Sequence, residues 1–169
     1  MKKLSVTLSL LILLFCLTSK SWASKGRWFY TNKMNCLVWN PNPQPQEFAR
    51  WSGECSNGFA NGVGILTWLI EDKYIGEYQG EYKDGFMSGL GIYYFPGGNQ
   101  YIGEFKYVKK DMQGNLNWLG GDKFKGEWKN NKFNGQGKYT YEDGSIEEGI
   151  WKDDKFMYKK NQLQLQILK

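Results

Sequence analysis

The chain has 169 residues, of which 17% are aromatic and 21 are glycine, and a formal net charge of +5. That length holds one domain, and bulky rings alternating with absent side chains suit short strands and tight turns better than a helical bundle. Histidine is missing altogether, which removes the commonest general base and transition-metal ligand, and with them most hydrolase and zinc-site arrangements.

Residues 1–23 read as a signal peptide. "MKK" is a basic start, "LSLLILLFCLT" is an apolar core short for a membrane span, and "SWA" offers small residues for cleavage after Ala23. An uncleaved anchor is the other reading. Cleavage predicts an exported chain, periplasmic or secreted. It also leaves nineteen basic residues against seventeen acidic ones, so the high pI gives no argument for a nucleic-acid partner. Two cysteines remain, Cys36 and Cys55. In an oxidising compartment they are expected to form a disulfide, with two buried thiols as the alternative.

Residues 24–50 read as an N-terminal cap. "RWFY" and "CLVW" are short strands, and "NPNPQPQ" is an extended connection that cannot sit inside a sheet. A disulfide would tie this cap to the segment that begins at Trp51.

From residue 51 to 156 the sequence repeats itself. "YQGEYKDGFMSGLGIYYFPGGNQ" starts at Tyr78, "YIGEFKYVKKDMQGNLNWLGGDK" at Tyr101, "FKGEWKNNKFNGQGKYTYEDGSI" at Phe124 and "EEGIWKDDKF" at Glu147. Upstream, "WSGECSNGFANGVGILTWLIEDK" starts at Trp51 and is followed by four extra residues, "YIGE". The unit is aromatic-x-Gly-Glu-aromatic-x-x-Gly-x-x-x-Gly-x-Gly, closed by D-G or G-G. Alternation puts the aromatics and the glycine between them on one face and mostly polar residues on the other. Place eight needs a positive φ for a tight turn, and Asn131 and Asp154 stand in for glycine there. Each unit is therefore a β-hairpin, too weak to stand alone but stable when stacked. Gly135 and Gly137 are expected to make room for rings such as Trp128 and Tyr139. Two departures are visible. Val108 and Met112 replace glycines, which predicts a distorted or longer turn around "KYVKKDM", and the last unit is expected to stop after one strand.

This pattern resembles the MORN (membrane occupation and recognition nexus) repeat family, and the lead-in "CLVWNPNPQPQEFARWSGEC" is similar to that of exported bacterial members. The resemblance implies an all-β fold: an elongated, single-layer, twisted antiparallel sheet of stacked β-hairpins. It also implies association with proteins, with a second copy, or with an anionic membrane. Beyond the array, residues 157–169 form a C-terminal cap or tail, in which "QLQLQIL" alternates like an edge strand.

The pairs Gly62/Gly64, Gly89/Gly91 and Gly135/Gly137 lack the third glycine and the helix of a dinucleotide loop. Adjacent carboxylates such as Glu71/Asp72 and Asp153/Asp154 point to opposite faces of a strand, which rules out a glycosidase pair. Glu54, Glu81, Glu104 and Glu127 make a ladder opposite the aromatics that lysines could pair with. No catalytic residue, metal ligand or cofactor site is expected. The expected function is a non-enzymatic scaffold, and the candidate binding surface is Tyr78, Tyr82, Trp118, Trp128, Tyr139, Lys106, Lys109 and Lys110. Further lysines cluster at Lys155, Lys159 and Lys160. The alternative is an envelope-polysaccharide binder that stacks sugars on Trp118, Trp128 and Tyr139.

Overall fold

The structure is a computed structural model that describes residues 26–32 and 35–159. The signal peptide, its cleavage point and the "QLQLQIL" segment lie outside the described residues. Within them the chain is all-β, and thirteen strands join in one sheet.

The repeats supply its regular part. Strands β5 (Phe59–Ile70), β6 (Lys73–Lys83), β7 (Phe86–Tyr94), β8 (Gln100–Lys106), β9 (Lys109–Asn117), β10 (Lys123–Lys129), β11 (Lys132–Thr140), β12 (Ile146–Lys152) and β13 (Lys155–Lys159) lie in sequence order, each antiparallel to the next. The last unit does not stop after one strand, because β13 folds back on β12.

The turn inside each unit uses two residues with positive φ: Asn57–Gly58, Asp84–Gly85, Tyr107–Val108, Asn130–Asn131 and Asp153–Asp154. This is the type I′ geometry whose twist matches the strands it joins. Val108, at φ 61°, makes the same turn as the glycines, so "KYVKKDM" is neither distorted nor lengthened. The register of the stacked units overrides the local preference of a β-branched residue. Asn131 and Asp154 also do more than tolerate the conformation. Asn131 Oδ1 accepts the backbone N–H of Lys110 at 2.8 Å, and Asp154 Oδ1 accepts that of Phe133 at 2.8 Å. Each turn is thus tied to the hairpin before it.

A β-bulge follows in each complete hairpin, with the register shifting at Gly80/Glu81, Gly103/Glu104 and Gly126/Trp128. The register shifts by two residues each time, at places twelve and thirteen, and place twelve takes a positive φ at Gly89, Met112 and Gly135. Here one of the place-four glutamates finds its use. The Glu127 carboxylate accepts the N–H of Gln136 at 3.2 Å beside the Gly135 bulge. The expected lysine pairing of that ladder does not form, since the ion pairs among the described residues are Arg50–Asp72 and Lys132–Asp153.

Gly64, Gly80, Gly91, Gly103, Gly114, Gly126, Gly137 and Gly149 face one another strand by strand in an unbroken row across the sheet. Rings lie in the furrow this row leaves: Tyr78 over Gly91, Tyr101 over Gly114 and Phe124 over Gly137. The ring over Gly137 is Phe124 rather than Trp128, because each ring crosses to its own hairpin partner. The hydroxyls of Tyr78 and Tyr101 donate to the carbonyls of Glu81 and Glu104 at 3.2 Å, and Trp51 Nε1 does the same to Glu54 at 2.9 Å. A ring at place one thereby satisfies a carbonyl next to the bulge. Place-five rings interleave edge-to-face, as in Tyr78–Phe105 at 5.0 Å, Tyr101–Trp128 at 5.1 Å and Phe124–Trp151 at 5.4 Å.

The cap departs from simple antiparallel order. β1 (Arg27–Asn32) pairs antiparallel with β2 (Leu37–Asn40) and parallel with β3 (Glu47–Trp51). β3 and the short β4 (Glu54–Ser56) both pair with β5, and β2 touches β5 in parallel. The first edge of the sheet is therefore folded into a closed circuit, β5–β3–β1–β2–β5, which removes a free edge. The extra "YIGE" residues lie in β6 and lengthen the β5–β6 hairpin, and β3 pairs with β5 from Leu66 to Ile70. Cys36 and Cys55 form a disulfide with Cα atoms 5.7 Å apart. It joins the cap to the first repeat and contributes roughly 3 kcal/mol by the loop it closes.

Candidate functional site

The ring face, the outer face and the turn edge each place a different part of the expected surface. On the ring face Tyr78 is 0% exposed, Tyr82 2% and Trp128 3%. These three are core residues and cannot serve as open stacking platforms. Alternation along one strand shows which face a ring is on, but only the next unit, 23 residues away, covers it. Trp118 and Tyr139 remain half-buried, with ring centroids 5.4 Å apart, and the Tyr139 hydroxyl donates to Asp122 at 2.6 Å. The polysaccharide triad is thus not assembled as a platform, because Trp128 is enclosed.

The lysines divide in the same way. Lys106 and Lys109 are exposed and directly opposite each other beside the Tyr107–Val108 turn. Lys129 and Lys132 repeat this arrangement, as do Lys152 and Lys155. With Lys83 they make a ridge of exposed ammonium groups along the turn edge, one hairpin after another at about 10 Å. Like charges directly across a strand pair are unfavourable, so the ridge is not explained by sheet stability. Its signal lies in lysine recurring at places six and nine of the repeat.

Lys110 points the other way. Its ammonium lies 4.5 Å from the centroid of Trp128, with Tyr101 at 5.5 Å and Phe95 at 5.6 Å. Desolvation among these rings lowers its pKa, and the charge of Asp154 acts in the opposite direction. It stands at one end of an open groove of about 510 Å³ floored by Trp68, Ile75, Met87, Tyr93, Phe95 and Phe105. The far wall is the proline-rich connection between β2 and β3. Asn40 Nδ2 donates to both oxygens of Glu47 at 3.0 and 2.9 Å, and the N–H of Gln44 adds a third bond at 2.9 Å. Burial raises the pKa of Glu47, and these bonds oppose the shift. The connection holds its shape through this buried carboxylate. No local sequence signal marks the groove, since it exists only where the connection is laid over the second and third units.

The outer face carries exposed aliphatics on its first half: Val63, Ile65, Leu90 and Ile102 are 74%, 42%, 68% and 39% exposed. Ile92 joins them, opposite Ile102 in the register. Beyond them the same row turns polar with Asn115, Lys125 and Lys138.

The family model of the MORN repeat matches residues 51–68, 78–100 and 124–146. The chain carries MORN repeats. A comparison with curated proteins gives no match. MORN repeats are association modules, and the matched segments are the units built around Trp51, Tyr78 and Phe124. The unit at Tyr101 falls between matches, yet it keeps the MORN hairpin, its turn and its bulge with Val108 and Met112 in place of glycine. It is also the unit that carries Lys110. Among the described residues no helix is long and apolar enough to cross a membrane, and no cluster of three metal-ligating side chains occurs.

Proposed function

We propose that this MORN protein is an exported, non-enzymatic scaffold that binds a protein partner or a second copy of itself through its sheet. The observation that carries this reading is the set of outer-face aliphatics, Leu90, Ile92 and Ile102 on β7 and β8 and, across Gln79 and Glu81, Val63 and Ile65 on β5. The opposite face packs its own rings, whereas Val63, Ile65, Leu90 and Ile102 remain exposed and Ile92 is half-buried. Exposed apolar side chains grouped on one face of a single-layer sheet mark an association site. Leu90→Glu combined with Ile102→Glu leaves the fold intact, because both side chains are exposed, and abolishes partner capture. Crosslinking in the native envelope before lysis, followed by recovery of the chain, reads this out. Identical crosslinked species from the wild type and the double variant would sink the reading.

The lysine ridge supports a second reading, contact with an anionic envelope surface. Each lysine near such a surface contributes about 1 kcal/mol, screened by salt. Neutralising Lys106, Lys109, Lys129 and Lys132 to glutamine weakens flotation with anionic phospholipid vesicles at least tenfold, and 0.5 M salt does the same to the wild type. Flotation that ignores both changes rules the ridge out.

A further inference from the structure

Place ten of the unit faces inward and is filled by Ala60, Met87, Phe133 and Phe156 in the other units. In the fourth unit the occupant completes the core, with Phe133 stacked on Phe124 at 3.7 Å and an interplanar angle of 12°. Lys110 takes the same seat over Tyr101. An apolar side chain there would stack as Phe133 does, whereas the lysine brings a cation into a ring cage and loses hydration. The rings return part of that cost through their π faces. None of the described residues forms an ion pair or hydrogen bond with its ammonium. Lys109, one residue earlier, reaches Asn130 instead, so the inward position of Lys110 is set by strand alternation and not by a partner.

The cation therefore sits in an apolar groove with no ion-paired or hydrogen-bonded partner, and Asp154 is the carboxylate whose charge acts on it. The groove's other charged group, Glu47, is already saturated by Asn40 and Gln44. The site thus has one free positive charge, one apolar floor and no second cation. A phosphate group would call on several donors, whereas a carboxylate needs only one ammonium. At about 510 Å³ the groove is also the size of a small-molecule site, of roughly 300–1,000 Å³, and is too confined for a folded partner.

We infer that the groove binds a small amphipathic carboxylate. Its carboxylate pairs with Lys110 Nζ, and its apolar body lies over Trp68, Tyr93 and Phe95. This goes beyond the scaffold reading and stands whether or not the outer patch binds a protein.

The test uses the full oxidised chain and octanoate as the probe, with octanol and octylamine as neutral and cationic controls of equal length. Binding is followed by calorimetry and by NMR shifts of the tryptophan indole N–H signals. Octanoate binds saturably and at least tenfold more tightly than either control, and its shifts centre on Trp68 and Trp128. Lys110→Met loses at least tenfold of this affinity, and Lys110→Arg stays within about threefold of the wild type. Met87 fills the same place in the preceding unit, so Lys110→Met folds. The inference is overturned by the absence of saturable octanoate binding, by octanol binding equally well, or by undiminished binding to Lys110→Met.

Discussion

Gly103→Val lowers the stability of the folded sheet by about 4 kcal/mol, at the upper end of overpacking effects. Gly103 sits in the middle of the glycine row, facing Gly91 on one side and Gly114 on the other. A Cβ there would come within 2.5 Å of the Gly114 Cα and the Tyr101 hydroxyl and 2.6 Å of the Gln113 carbonyl. Two of these three obstacles are backbone, which cannot swing aside as a side-chain end can. Opening the row there also lifts Tyr101 off Gly114 and frees the Glu104 carbonyl that its hydroxyl satisfies. In a chain of this size the loss lowers the thermal midpoint by roughly 12 °C. Gly120→Ala is the matched control, because nothing lies within 4 Å of a Cβ at that site, and it shifts the midpoint by no more than about 2 °C. A Gly103→Val protein that melts with the wild type would show that the row is not closely packed.

The glycine row also shows what can be read from residues alone. A period of 23 fixes which glycines meet, and alternation fixes the face on which the rings stand. Positive φ at place eight follows from Asn131 and Asp154. Three features are hidden for physical reasons. The bulge at place twelve is hidden because Met112 breaks the glycine signature while keeping the conformation. The burial of Tyr78, Tyr82 and Trp128 is hidden because the cover comes from a neighbouring unit. The closure of the cap is hidden because parallel contacts such as Thr31↔Ala49 and Leu37↔Phe59 leave no local pattern. Lys110 is the nearest miss. Once the Tyr107–Val108 turn is counted as two residues, alternation sends Lys109 outward and Lys110 inward. One repeat thus serves three surfaces by position: places six and nine carry charge to the edge, place ten faces the groove, and the residue between the paired glycines faces out.

The ring face makes the protein sensitive to alkali. Burial, reinforced by nearby Glu81 and Glu104, holds the pKa values of Tyr78 and Tyr101 far above the usual phenol range. Burial does the same to Tyr82, whose enclosed hydroxyl has no hydrogen-bond partner, and pushes Tyr93 up to about 12. In the unfolded chain these groups titrate near pH 10. The folded pKa is the higher one, so the stabilisation is fully present below pH 10 and is lost as pH rises through the folded values. At pH 11 each tyrosine still protonated in the fold favours unfolding by about 1.4 kcal/mol. Tyr78, Tyr82 and Tyr101 together therefore remove about 4 kcal/mol, and Tyr93 adds to this. Lys110 has the opposite sign. Its lowered pKa means that the penalty for its buried charge is relieved as pH rises toward the unfolded lysine value, and one such group does not offset three tyrosines. Urea unfolding from pH 9 to 11.5 reads the effect as a midpoint that falls with a slope of about three protons. Tyr101→Phe lowers that slope by about one proton, and Phe124 already occupies the equivalent position in the next unit. A midpoint that stays level to pH 11.5 would mean that these hydroxyls reach water in the folded protein.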